Sequence, residues 1–259
     1  MLQKYGTKAI FLGGFHGGGK SSLVEALAKE NNAQLIRFQI TELTSEVDIL
    51  GSLDLKSGEF INSNFVDCLV EANKEENHNK FYYVLLDEFT RGRDEALNVL
   101  FPLLAEKKLI INSPYAKEKE IKVNSNVKIF ATGNLHDIGQ RDIGQAELDR
   151  YNVIEIQAIE DVETLKHIIS LKVGNMNSET RDILINFYIQ SWQKYREARI
   201  LAMSIRTLIE VANITKEFNK KLSSKSAIKK ALELTYYGTS HAIINPNYAR
   251  TYQEMVREL

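Results

Sequence analysis

The sequence lacks the cysteine and histidine patterns that are typical of disulfide-bonded or zinc-binding proteins. It has one cysteine, Cys68, in 259 residues, so no disulfide can form within the chain. This cysteine usage suits a reducing compartment. The cysteine and the five histidines do not have the spacing of a zinc site. A disulfide framework and a zinc centre are therefore not expected.

A strong net charge and long apolar segments are also missing. The formal net charge is −1, so no bulk attraction to nucleic acid or to an anionic membrane is implied. The apolar run at the start of the chain is too short for a signal peptide or a membrane span. Hydrophobic residues make up 44% of the chain and charged residues 26%, which is ordinary for a globular protein. We therefore expect a cytoplasmic protein without a membrane partner.

What the sequence does contain is a glycine-rich loop with the spacing G-x-x-x-x-G-K-[ST], from Gly14 to Ser21. An apolar run precedes the loop, and a segment with helical spacing follows it, from Ser22 to Lys29. Strand, glycine loop and helix form the context that a phosphate-binding P-loop needs. Glycines let backbone N–H groups converge on a phosphate, and the helix N-terminus adds a positive dipole end.

Within this loop, the Lys20 ammonium would reach the β- and γ-phosphates, and the Ser21 hydroxyl would ligate Mg²⁺. By itself, the loop fits a kinase, a transporter ATPase or a GTPase equally well. The residues predicted to bind the nucleotide here are Gly14, Phe15, His16, Gly17, Gly18, Gly19, Lys20, Ser21 and Ser22.

Apolar runs predict the strands of one sheet. They lie at residues 9–12, 35–40, 81–88, 127–132 and 151–156. The third run is apolar up to its last two residues, as expected of a central parallel strand buried on both faces. Because the chain begins with a strand–helix–strand pattern, we predict an α/β fold with a five-stranded parallel P-loop sheet flanked by helices.

The pattern changes after about residue 158, where helical spacing replaces strand signals. We predict an α/β nucleotide-binding core over residues 1–158 and an α-helical domain over residues 159–259. Two β-hairpins are predicted inside the core, at about 53–61 and 109–123. Helices of the second domain are predicted at 161–172, 178–196, 205–218 and 227–235.

Polar residues follow two of the predicted strands. Asp87 and Glu88 end the third strand, at the edge where open α/β sheets bind ligands. Asp87 would hold Mg²⁺, usually through a water molecule, and Glu88 would polarise the attacking water. Asn134, after the next strand, would orient the same water or contact the γ-phosphate. The alternatives are a helix-capping role for the acidic pair and a conformational role for Asn134.

In this order, the motifs resemble those of AAA+ ATPases, in the MoxR-like and dynein-related branch that carries a helix-2 insert. The resemblance covers nearly the whole chain and implies ATP and Mg²⁺ as cofactors, a sensor-1 role for Asn134 and a helical lid after the core. The matching segments, from Walker A and Walker B to sensor 1, the arginine-finger region and sensor 2, are residues 14–21, 85–91, 131–134, 147–151 and 203–206.

The resemblance also implies roles for individual arginines. Arg150 takes the arginine-finger position, where it would complete the ATP site of a neighbouring subunit. A surface salt bridge is the alternative for Arg150, and Arg141 is the rival finger. Arg206 takes the sensor-2 position and would reach the phosphates of its own site. His16 departs from the usual Pro-Pro-Gly of the family and would contact the phosphates or a partner.

The function implied by the resemblance is Mg-ATP hydrolysis by a homo-oligomeric ring, expected to be a hexamer. The ring would remodel, activate or assemble a separate protein substrate or adaptor, such as a von Willebrand factor A protein. The hairpins would face its central pore or a partner, with Lys56, Tyr115 and Lys117 as candidate contacts to a substrate. One alternative is an NTP-driven motor subunit of a nucleic-acid-acting complex, similar to restriction-type GTPases that share the Asp-Glu-x-x-Arg-Gly run found at 87–92. The other is a nucleotide-dependent scaffold with slow turnover.

Overall fold

The computed structural model of the chain describes residues 8–134, 144 and 148–259. These residues form two compact units, divided between Ile156 and Gln157. The described strands belong to the first unit, and the second unit is built from helices. The division lies near the point at which the sequence pattern changes, about residue 158.

Five parallel strands form the central sheet of the first unit, in the order β2-β5-β8-β1-β9. The predicted five-stranded parallel sheet flanked by helices is therefore confirmed. The strands are β1 (Ala9–Gly14), β2 (Gln34–Gln39), β5 (Tyr82–Asp87), β8 (Val127–Gly133) and β9 (Tyr151–Ile156).

The sheet is covered on both faces. On one face, helix α1 (Lys20–Glu30) packs Val24 and Ala28 against a cluster that includes Leu85 and Phe130. The opposite face forms the larger core of the unit, in which strand residues pack against the remaining helices. Every residue of β5 is buried, as its apolar sequence predicts. The ends of β5 and β8 are thus held in fixed positions next to the loop between β1 and α1.

Two short antiparallel pairs lie at the predicted hairpin positions. One joins β3 (Gly51–Leu53) to β4 (Phe60–Asn62), and the other joins β6 (Lys108–Ile110) to β7 (Glu120–Lys122). Tyr115, in the connection of the second pair, is 57% exposed. Lys56 and Lys117 are exposed as well, so all three predicted contact residues are accessible in their own unit.

Among the described residues, the remaining helices of the first unit are α2 (Glu46–Leu50), α3 (Asn64–Ala72), α4 (Asp94–Leu97) and α5 (Phe101–Glu106). The apolar spacing from Ala96 to Leu104 predicts one helix after Glu88. That prediction is wrong, because a 3₁₀ turn over Asn98–Leu100 separates α4 from α5. Pro102 explains the break, since it has no N–H to donate to the Asn98 carbonyl and its ring crowds that carbonyl.

The second unit contains the four predicted helices and two that the sequence pattern did not reveal. The latter are α10 and α11, at the end of the chain. In order, the helices are α6 (Val162–Val173), α7 (Ser178–Arg196), α8 (Ile205–Phe218), α9 (Ser224–Leu234), α10 (Tyr236–Thr239) and α11 (Pro246–Arg257). The Ser204 hydroxyl caps α8 by accepting a hydrogen bond of 3.0 Å from the Thr207 N–H.

A buried asparagine ties the start of β8 to the chain before β5. Asn126 is 7% exposed, and its Nδ2 donates to the carbonyls of Ala72, Asn77 and Lys80 at 3.0 to 3.2 Å. We expect Asn126→Ala to lower the free energy of unfolding by about 2 kcal/mol, since buried carbonyls lose their donor. The midpoint temperature of thermal unfolding should fall by roughly 5 °C. The control Asn124→Ala, which removes an exposed contact with His78, should change the midpoint little.

Candidate nucleotide-binding site

The loop between β1 and α1 has a backbone path that requires glycine. At Gly14, φ is +143°, and an added Cβ would lie 2.3 Å from the Ile156 carbonyl oxygen. At Gly19, φ is +82°, in the left-handed region, where this residue caps the N-terminus of α1. Backbone N–H groups at the start of α1 are therefore presented without side-chain obstruction. This is the arrangement that binds phosphate at helix N-termini.

Lys20, the first residue of α1, is buried and joins the loop to the end of β8. Its Nζ donates to the carbonyls of Gly14 at 3.1 Å and Phe15 at 2.7 Å, and to Asn134 Oδ1 at 2.7 Å. An ammonium group has three N–H donors. To bind a phosphate oxygen, Lys20 must therefore exchange one of these contacts for the ligand.

Asp87 is the centre of the polar cluster at this edge of the sheet. It is 3% exposed, and its Oδ1 accepts hydrogen bonds from Ser21 Oγ at 2.7 Å and from Thr132 Oγ1 at 2.6 Å. Its Oδ2 pairs with the Arg37 guanidinium. The predicted metal-binding residues, Ser21 and Asp87, are thus in direct contact. A hydroxyl and a carboxylate are ligands suited to Mg²⁺, so these residues fit the ion that the sequence implies.

The surroundings of Asp87 keep it charged. Burial raises the pKa of its carboxyl, but the hydrogen bonds from Thr132, Ser21 and Arg37 and the arginine charge lower it by more. The net pKa lies below the usual range for an aspartate, so the group is ionised at neutral pH. A charged carboxylate is the form that a metal ion requires.

Glu88 follows Asp87 with a left-handed backbone, φ +59°. Its N–H donates to Thr132 Oγ1 at 3.0 Å, and its carboxylate lies 2.7 Å from Arg91 Nε. Non-glycine residues rarely adopt this conformation, and such strained residues are found preferentially at functional sites. The Glu88 carboxylate is half-buried beside the Asp87 cluster, where it can accept a proton from a water molecule.

Asn134 lies directly after β8 and is 5% exposed. Its side-chain oxygen accepts the bond from Lys20, and its backbone N–H donates to Thr90 Oγ1 at 3.3 Å. The fold therefore brings Lys20, Ser21, Asp87, Glu88 and Asn134 to one edge of the sheet, as the motif order predicts.

Three residues in or beside this cluster were not assigned a role from the sequence: Thr132, Arg37 and Glu25. Thr132 bridges Asp87 and Glu88, and Arg37 on β2 connects Asp87 to Glu25 on α1, with 2.9 Å between Arg37 Nη1 and Glu25 Oε1. For Thr132, its position just before the sensor-1 asparagine was the available signal. For Arg37, the only signals are the alternation of side chains between the two faces of β2 and the pairing of β2 with β5. Neither of these forms a sequence motif.

The other predicted site residues differ in exposure. His16 and Ser22 are exposed on the loop and on the first turn of α1. Arg150, just before β9, is half-buried, and its Cζ lies 5.1 Å from the centre of the Phe101 ring. Arg206 is exposed in the first turn of α8, in the second unit. Arg141 lies outside the described residues.

Comparison with protein families adds an independent observation. Residues 9–151, more than half of the chain, match the model of the AAA domain of the dynein-related subfamily. The chain belongs to this family. The resemblance predicted from the motifs is confirmed, and so is the expectation of an ATPase domain that binds nucleotide.

Two relatives and one solved structure are similar to this AAA domain. The aerobic cobaltochelatase subunit CobS of Sinorhizobium sp is 22% identical over 158 residues, covering 57% of this chain and 46% of CobS. Midasin of Dictyostelium discoideum is 27% identical over 203 residues, covering 74% of this chain and 3% of midasin. The chain therefore spans less than half the length of either relative.

The structure of NtrX from Brucella abortus, in complex with ADP, is 13% identical and has a TM-score of 0.54. It covers 82% of this chain and 46% of the NtrX chain, and the likeness concerns the fold. Among the described residues, no helix has the length and apolar character needed to cross a bilayer.

Proposed function

We propose that this AAA domain hydrolyses Mg-ATP within a homo-oligomeric ring and uses the energy to remodel, activate or assemble a separate protein partner. The observation that supports it most is the hydrogen-bonded cluster of Lys20, Ser21, Asp87, Thr132 and Asn134. It joins the phosphate loop to the ends of β5 and β8, beside Glu88.

Each group of the cluster has a task in this proposal. Loop N–H groups and Lys20 bind the phosphates, and Ser21 and Asp87 hold Mg²⁺, which would neutralise charge on the phosphate oxygens. Glu88 accepts a proton from the attacking water, and Asn134 fixes the position of that water. Arg206 is assigned to the phosphates from the resemblance alone. Phosphoryl transfer depends mainly on such positioning and electrostatic stabilisation.

The partner is proposed to be another polypeptide, and the ring to be a hexamer. One relative is named as a subunit of a chelatase, which suits a chain that works inside a larger enzyme. A von Willebrand factor A protein is the adaptor class that we propose.

Mass measurement with and without ATP tests the ring, and a monomer under both conditions would contradict it. Stimulation of hydrolysis by DNA, or a preference for GTP, would instead favour a nucleic-acid motor.

We expect Lys20→Ala to weaken ATP binding about 100-fold, since the charged hydrogen bonds of a lysine to phosphate are worth about 3 kcal/mol together. Equilibrium titration with a fluorescent ATP analogue measures the effect. Lys29→Ala is the matched control, because Lys29 is exposed at the other end of α1. Circular dichroism checks that the fold is kept. Unchanged affinity in folded Lys20→Ala would contradict the assignment of this loop.

A further inference from the structure

The carboxylate that is proposed to hold Mg²⁺ already pairs with a cation, the guanidinium of Arg37. The Arg37 guanidinium pairs with Asp87 Oδ2, while Ser21 and Thr132 occupy Oδ1. The Asp87 side chain is 4% exposed and the Arg37 side chain 47% exposed. An arginine therefore reaches from a solvent-facing position to a carboxylate that is otherwise enclosed.

The topology explains why Arg37 is directed to this point. Strands β2 and β5 pair in parallel, with Arg37 opposite Leu85 and Gln39 opposite Asp87. Side chains alternate between the faces of a sheet, so Arg37 lies on the face of Leu85 and Asp87. Leu85 packs under α1 on that face. Arg37 therefore lies between the edge of the sheet and the helix that begins at the phosphate loop, with about half of its side chain open to solvent.

Glu25, on α1, holds the other side of the guanidinium. Arg37 Nη1 donates to Glu25 Oε1 at 2.9 Å, with 44% of the glutamate side chain exposed. Arg37 is thus bound between two carboxylates, one of them on the helix that carries Lys20 and Ser21. Planar guanidinium groups suit such double contacts, and a lysine could not make both in the same geometry.

We propose that Arg37 competes with the divalent cation for Asp87 and thereby sets the metal affinity of the site. This inference rests on the proposed function, because it concerns the Mg²⁺ that accompanies ATP. Both cations need the Asp87 carboxylate, and two like charges a few ångströms apart repel. Metal binding would therefore require the guanidinium to move off Asp87, and Glu25 offers it a second anion that it already contacts.

The test measures metal binding directly, without turnover. Mn²⁺ serves as the probe, because electron paramagnetic resonance reports its free concentration. The purified full chain is saturated with ADP and titrated with Mn²⁺, as wild type and as Arg37→Gln. We expect Arg37→Gln to bind Mn²⁺ about tenfold more tightly, as removal of a neighbouring positive charge predicts. Binding of ADP in the presence of EDTA should be unchanged.

Lys29→Gln is the charge-matched control, because it removes one positive charge from the exposed end of α1. It should leave Mn²⁺ affinity within about twofold of wild type, since exposed charges at that distance are screened by salt. A purely structural role for Arg37 would lower the unfolding temperature of Arg37→Gln without raising its Mn²⁺ affinity. Arg37→Lys, which keeps the charge but loses the double contact, provides a second variant if Arg37→Gln does not fold.

Unchanged or weaker Mn²⁺ affinity in Arg37→Gln would overturn the proposal, and weaker affinity would mean that Arg37 positions Asp87 for the metal. The same criterion applies to Arg37→Lys, which should bind Mn²⁺ more tightly than wild type but less tightly than Arg37→Gln. Failure of the proposed function is distinguishable, because it would appear as absence of ATP hydrolysis in wild type, whereas the Mn²⁺ titration requires only nucleotide binding.

Discussion

Glu88→Gln is expected to reduce steady-state ATP hydrolysis by about 10³-fold, as loss of a general base does. Glutamine keeps the shape of the side chain but cannot accept the proton of the attacking water. The N–H of residue 88 would still donate to Thr132, so the turn after β5 should persist. ATP affinity should therefore change by only a few-fold. Phosphate release and equilibrium ATP binding measure the two effects separately.

Glu95→Gln is the matched control for Glu88→Gln. Glu95 is exposed on α4, a few residues further along the chain, and its substitution removes the same charge. We expect hydrolysis at the wild-type rate in this variant. Wild-type hydrolysis in Glu88→Gln itself would remove Glu88 from the reaction and would leave the scaffold alternative as the better description.

Arg150→Ala is expected to lower the hydrolysis rate about 10³-fold in the assembled protein, the lower end of the range for arginine fingers. In its own chain, the guanidinium stacks on Phe101, a contact worth about 0.5–1 kcal/mol. Giving up this stacking contact to reach a neighbouring subunit is a small loss compared with the charge stabilisation gained there. The effect is measured as phosphate release at a protein concentration that supports assembly.

Circular dichroism of Arg150→Ala should match that of wild type, which separates loss of the finger from loss of the fold. Arg250→Ala is the control, since Arg250 is 82% exposed and pairs with Glu254 on the same helix. It should hydrolyse ATP normally. If Arg150→Ala hydrolysed ATP normally as well, the finger would have to be sought elsewhere, first at Arg141.

Motif spacing was sufficient to predict the residues that meet at the sheet edge. Lys20 and Ser21 are fixed by the glycine loop, and Asp87 and Asn134 each follow an apolar strand. Because the carboxyl ends of neighbouring parallel strands meet at one edge, the order of the motifs implies their proximity. The five-stranded sheet followed from the same runs, since strands buried on both faces are apolar throughout.

Contacts that depend on strand register were not predictable in the same way. Arg37 is an isolated cation on the edge strand β2, and such residues are usually solvated. Its contact with Asp87 requires the β2–β5 register and the packing of α1, both of which join distant parts of the chain. Thr132 likewise gains its role only when β8 lies next to β5.

Two helix predictions failed for local reasons. Apolar spacing predicts one helix from Ala96 to Leu104, but Pro102 within that segment breaks the regular hydrogen-bond pattern. Helix α11 has clear start signals, an Asn245 cap that accepts from Asn247 and Tyr248 and a proline at its first position. The segment is mostly polar, and it has too few apolar residues, such as Tyr252 and Met255, for a helical spacing to be recognised from the sequence.

A mixing experiment tests most directly whether the ATP site is completed by a neighbouring subunit. Glu88→Gln and Arg150→Ala chains are each expected to be nearly inactive. A Glu88→Gln subunit still supplies an intact Arg150, and an Arg150→Ala subunit still supplies an intact Glu88. After the two are mixed and allowed to exchange subunits, phosphate release should rise well above the sum of the separate rates. A mixture that assembles but shows only that sum would contradict the shared site.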